Sequence, residues 1–142
     1  MGPREGQLEM SRLSDWELRL NAVVEKHLAL PAKFGLSDCY MIADDAFAAV
    51  TGERLYKGVR YGTEAGAAKQ LRKRGFETVE DAFRARLPEV GRLLAHRGDL
   101  GVVDRDGVIS GGVFTTLGFM TRGEDGVVFL SPLDVKAAFR VA

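Results

Sequence analysis

Apolar positions recur with helical spacing through the front of the chain and with the short runs of strands behind it. Leu13, Trp16, Leu20, Val23, Val24 and His27 share one helical face. Ser14, with Glu17 three residues later, predicts a capping box that opens this helix, and Pro31 stops it before a turn at Phe34-Gly35-Leu36. Ser37-Asp38 cap a second helix. Its apolar stripe runs Cys39, Ile42, Ala43, Ala46, Phe47, Val50 and ends at Thr51-Gly52. The alanines of this segment let it sit close to a neighbour, so it is expected to be the central helix. Burying Phe47 and Val50 should contribute about 1.5–3 kcal/mol each.

A loop follows at Gly58 to Gly62. Thr63 caps a third helix ending at Gly75, and Thr78 with Asp81 begins a fourth ending near Leu87-Pro88. Beyond Arg97 the pattern changes to strands. Leu100 to Val103 leads into a hairpin turn at Asp104-Arg105-Asp106-Gly107. Val108 to Ser110 and Val113 to Thr121 are expected to continue the sheet around Gly111-Gly112, with a turn from Arg122 to Gly126. Val127 to Leu130 and Ala137 to Val141 complete it, separated by a turn at Pro132 to Val135. The class this predicts is α+β, a helical front half with a central Cys-bearing helix packed on a small antiparallel sheet. Residues 1–11 are expected to form an arm and residues 12–142 a single domain.

Composition narrows the partners. Lys+Arg and Asp+Glu both number 20, so the formal net charge is zero. A zero balance gives no electrostatic reason to expect nucleic acid or an acidic membrane as partner, and it suits a protein that assembles with others. The run Lys69, Arg72, Lys73, Arg74 is a basic helix face without interleaved aromatics, which fits a solvated face or a protein-contact rim. One cysteine excludes an internal disulfide and a zinc site of several thiolates, and two histidines are too few for a His-rich metal site. No cofactor is expected. No apolar run is long enough to span a membrane, and no signal peptide is visible, so synthesis in the cytoplasm is expected.

Cys39 carries the candidate chemistry. In the first turn of an apolar helix, free N–H groups and the helix dipole favour a thiolate. Two readings are open: a nucleophile served by a base from the sheet, or a small buried residue that begins the core stripe. His96 precedes Gly98-Asp99, at the wrong end of its element for a base unless the strand order is unusual. His27 ends the first helix and reaches Cys39 only if residues 29–38 fold back. Asp99 is either an orienting carboxylate or a turn former. Asp44 and Asp45 are adjacent, point in different directions and do not form an acid/base pair. Gly111-Gly112 marks a close backbone approach or a bulge.

The string Phe34-Gly35-Leu36-Ser37-Asp38-Cys39, with its helix ending Thr51-Gly52, resembles small tail proteins of long-tailed phages and gene transfer agents. Gly58 to Thr63, Arg97 to Leu100, Thr116 to Phe119, Gly126 to Phe129 and Ala138 to Val141 match in the same order, so the resemblance covers nearly the whole chain from Trp16. That family is similar to the NlpC-type, papain-like cell-wall peptidases. The resemblance implies a reduced papain-like fold with Cys39 as the candidate nucleophile. It also implies a strand after the Gly-Asp strand that begins with the basic histidine. Here Thr116-Leu117-Gly118-Phe119 is aligned with that string, so a threonine stands in the base's place, and threonine cannot take a thiol proton near neutral pH.

The expectation is a structural tail-tip or hub-associated component on a degenerate peptidase scaffold, located in a virion or phage-like particle assembled in the host cytoplasm. Its partners would be other tail and hub proteins, with peptidoglycan as a further one. Leu8, Met10 and Val141 are candidate contacts. The alternative is an active cysteine peptidase or amidase that cuts peptidoglycan during genome delivery, with Cys39 as nucleophile and His96 or His27 as base. An assembly adaptor absent from the finished particle is a third reading.

Overall fold

A computed structural model describes residues 11–142. Leu8, Met10 and all but the last residue of the expected arm lie outside the described residues. The described residues form four α-helices followed by a six-stranded sheet, an α+β arrangement. Helix α1 spans Trp16–Ala29 and α2 Cys39–Thr51, and the shorter α3 and α4 span Glu64–Lys73 and Val79–Arg84. The strands are β1 (Glu89–Val90), β2 (Leu100–Arg105), β3 (Val108–Thr115), β4 (Gly118–Gly123), β5 (Gly126–Leu130) and β6 (Ala137–Phe139). Among the described residues, no helix is long and apolar enough to cross a membrane.

Three of the four expected caps form. Asp38 accepts from the backbone N–H of Met41 at 2.8 Å, and Thr63 accepts from Gly66 at 3.0 Å. Thr78 and Asp81 make the reciprocal capping box. The Ser14–Glu17 box does not form. Helix α1 starts one residue later, from Asp15, and Glu17 is drawn instead to Arg97 at 3.0 Å. Gly52 closes α2 with φ 86°, a left-handed conformation that a side chain would resist.

The sheet order is β1-β6-β2-β3-β4-β5, with every neighbouring pair antiparallel. The last strand returns to lie between the first two, pairing Phe139 with both Glu89 and Leu100. The Asp104–Gly107 turn forms as expected, with Asp106 and Gly107 both at positive φ. The expected run from Val113 to Thr121 is two strands, broken by an exposed turn at Thr116-Leu117. Thr115 makes that turn, since its hydroxyl accepts from Leu117 N–H and donates to the Gly118 carbonyl. Arg122 is not in a turn but buried in β4.

Helix α2 lies across β3 and β4, with α1 and α4 beside it. Ile42, Ala43, Ala46, Phe47 and Val50 are wholly buried, joined by Phe83, Leu100, Val102, Val113, Met120 and Phe139. The helix can approach this closely because β3 carries Gly111, where an added Cβ would stand 3.1 Å from Phe83 and 3.4 Å from the Cys39 carbonyl. A smaller cluster of Val103, Phe114, Phe119, Val135 and Ala138 covers the other face of the sheet. Val141, expected as a partner contact, is fully buried; its N–H donates to Asp99 at 2.9 Å.

Candidate functional site

Cys39 is the first residue of α2, as the cap at Asp38 requires, and it packs toward Gly111 of β3. Its setting reverses the expectation of an acidic thiol. Burial pushes the thiol above its ordinary value. A backbone hydrogen bond to Gly111 opposes this, and the nearby Asp38 carboxylate adds to it. The dipole at the helix head is outweighed because the half-buried residue loses part of its hydration and a carboxylate stands next to it.

No imidazole accompanies the sulfur. His27 is fully buried, and both of its ring nitrogens are occupied: Nδ1 by Ser37 Oγ and Nε2 by Asp45 Oδ2, each at 2.7 Å. His96 is exposed in the turn before β2, and its backbone N–H donates to Asp99. Gly98 of the same turn packs on Val50 at the far end of α2, an added Cβ there standing 3.1 Å from Val50 Cγ2. Cys39 begins the same 13-residue helix, so roughly 20 Å separates the two ends at 1.5 Å per residue. His96 as a base for Cys39 is therefore ruled out by position.

Thr116 is not beside the sulfur either. Gly98-Asp99 leads into β2, the next strand is β3, and Thr116 lies beyond the end of β3 in the exposed turn. The sheet residue facing Cys39 is Gly111, five positions earlier, so the place where a base from the sheet would stand carries no side chain. Asp99 orients no histidine ring. It accepts from Arg12 and Arg140 side chains and from the N–H groups of His96 and Val141, which ties the two ends of the described chain together.

The polar chemistry lies on the other flank of α2. Asp44 accepts from Leu55 N–H at 3.0 Å, and Arg54 bridges Asp44 and Asp45. Asp45 also receives Lys26 at 2.9 Å besides His27. Burial raises both carboxyls, but with opposite outcomes. Asp44 stays above its ordinary value, while the hydrogen bonds from His27, Arg54 and Lys26 bring Asp45 well below its own. On the far side of His27, buried Arg122 donates to Ser37 Oγ and to the carbonyls of His27 and Leu30, where α1 ends. The guanidinium thus satisfies orphan carbonyls at a helix C-terminus, where a cation is favoured.

Arg122 only donates, so the Ser37 hydroxyl hydrogen is left for His27 Nδ1; in the neutral ring Nε2 then carries the proton toward Asp45. Ser37, His27 and Asp45 have the atoms of a hydrolytic triad, yet all three are at most 4% exposed. They form a polar spine joining α1, α2 and β4, without access for a substrate. The sequence hints at part of this: His27 stands in an apolar stripe, and Asp44-Asp45 interrupt the most apolar helix. Ser37 is marked only as a cap beside Asp38, and nothing local marks Arg122, 85 positions away.

A family model described as a domain of unknown function matches residues 11–141. No curated protein and no solved structure matches the chain.

Proposed function

Since the chain belongs to the DUF6950 family, whose description assigns no activity, we infer its function from its own site: a structural component of a phage or gene-transfer-agent tail tip, built on a peptidase-like scaffold that has lost its chemistry. The observation that carries the loss is the isolation of Cys39. Its thiol is held protonated, Gly111 faces it, and both imidazoles are elsewhere. A thiol without an acceptor for its proton loses on the order of 100- to 10,000-fold from acid–base catalysis alone. The tail-tip setting is supported by the ordered resemblance of the motifs from Phe34 to Val141 and by the balanced charge. A helix stripe packed on an antiparallel sheet, with the cysteine at the helix head, is compatible with a reduced papain-like fold.

The test has two arms. Mass spectrometry of purified tails is expected to find the chain as a stoichiometric constituent. The purified protein is expected to release no muropeptide from peptidoglycan, and Cys39→Ala particles to infect like wild type. Infectivity lost with assembly intact would reinstate the peptidase reading. Absence of the chain from tails would favour an adaptor that leaves before completion.

A further inference from the structure

Helix α3 is unlike the other helices. None of its residues is buried, and Leu71 is the one large apolar side chain it turns inward. It is fastened mainly at its rim. Gln70 Nε2 donates to the Arg60 carbonyl at 2.9 Å, and Arg74 spans from Gln70 Oε1 at 2.7 Å to the Lys57 carbonyl at 3.2 Å. Beneath it, against the first turn of α2 and against α4, lies a cavity of about 50 Å³. Tyr40, Tyr56, Tyr61, Leu71, Phe76 and Val79 are among its walls.

The three phenols differ in how their hydroxyls are satisfied. Tyr56 donates to the Ala82 carbonyl at 2.5 Å and Tyr61 to Asp38 at 2.8 Å. Tyr40, only 9% exposed, has a buried hydroxyl with no partner among the described residues. An unpaired buried hydroxyl is destabilising, and a water or ligand from outside the chain is one way such a group is satisfied. Burial, with Asp44 nearby, keeps this phenol protonated at neutral pH, so it presents a donor. The wall around it is aromatic and aliphatic. The guanidinium among its walls, Arg74, is already engaged by Gln70 and the Lys57 carbonyl. A charged ligand would therefore have no free counter-charge inside, whereas a neutral acceptor would find one donor and an apolar wall.

We propose that the cavity under α3 is a binding site for a small, neutral, mainly apolar group bearing one hydrogen-bond acceptor, such as a ketone or ether oxygen, which takes the Tyr40 hydroxyl. The volume admits a group of only a few heavy atoms, since a dry cavity of about 150 Å³ is what accommodates benzene. Larger ligands would insert only such an end, and α3, with no buried anchor, is the element that would yield to them. The site is independent of the tail-tip reading, since it uses neither Cys39 nor any partner protein.

The experiment is a titration of the full chain with 2-butanone, followed by amide and tyrosine-ring NMR. Saturable shifts are expected in α3, Tyr40, Phe76 and Val79. Tyr40→Phe keeps the ring and removes the donor, and is expected to weaken binding at least tenfold while leaving the fold intact. Ala67→Met fills the cavity from the α3 side and is expected to abolish binding with Tyr40 in place. No saturable shift in the wild-type chain would overturn the site. So would ketone binding retained in either variant, or a water on Tyr40 that the ketone fails to displace.

Discussion

The two flanks of α2 divide between them what a hydrolase keeps together. On the sheet side Cys39 has the helix head but faces a glycine, with no base beside it. On the α1 side His27 has a carboxylate and a hydroxyl, but no sulfur and no opening. The difference lies in solvent and partners rather than residue type. A buried polar group must be paired, and pairing within the chain uses up the lone pairs and protons that a reaction would need. On the α1 flank these bonds hold helices together. On the sheet flank, the thiol is inert packing.

The largest effect should come from breaking the polar flank. Asp45→Ala leaves His27 buried without its acceptor, frees Lys26 and leaves Arg54 with Asp44 alone, and is expected to cost about 3 kcal/mol, read as a lower urea midpoint with unchanged slope. A change below about 1 kcal/mol would mean that the spine is ornamental and the contrast between the flanks false.

Acid titration is next in size. The carboxyl of Asp45 lies below its unfolded value. Its contribution is therefore full above about pH 4 and lost as pH falls through the folded value, of the order of 1–2 kcal/mol. Asp44 is raised, so its shift works the other way: its contribution is present below about pH 4 and lost as pH rises through its folded value. Thermal melts between pH 2 and 5 should show a shallower acid loss in Asp45→Asn and a steeper one in Asp44→Asn. Identical slopes for both would contradict the opposed settings of these adjacent residues.

Smaller effects are expected on the sheet flank. Cys39→Ala should change stability by no more than about 1 kcal/mol, because one small half-buried group replaces another. Iodoacetamide should label native Cys39 far more slowly than the unfolded chain at pH 7. The raised thiol also means that its stabilising share is complete below about pH 8.5 and is lost as pH rises through its folded value. Rapid labelling below pH 7 would be incompatible with a half-buried, protonated thiol. The least effect is expected from Thr116→His. In an exposed turn it should alter stability by less than about 0.5 kcal/mol and should create no peptidoglycan cleavage.

Local patterning was enough for much of the fold. The α2 stripe, the caps at Asp38, Thr63 and Thr78, and the Asp106-Gly107 hairpin turn are all legible because each depends on residues within one or two turns of one another. The failures are of two kinds, one long-range and one local. Ser14 and Glu17 have the right spacing for a box, but Arg97, 80 positions from Glu17, takes the acid. The stretch from Val113 to Thr121 alternates well enough for one strand, but the Thr115 hydroxyl ties a turn inside it.

Cys39 shows the boundary between the two kinds of knowledge. Its place at a helix head follows from its neighbours along the chain, and so does the presence of only two histidines to serve it. Whether either could do so depended on which strand residue came to face the sulfur and on what else claimed the imidazoles. Those pairings join residues 10 to 85 positions apart. They are set by packing and by the cost of leaving a buried polar atom unpaired, a constraint that acts only once the chain has closed on itself.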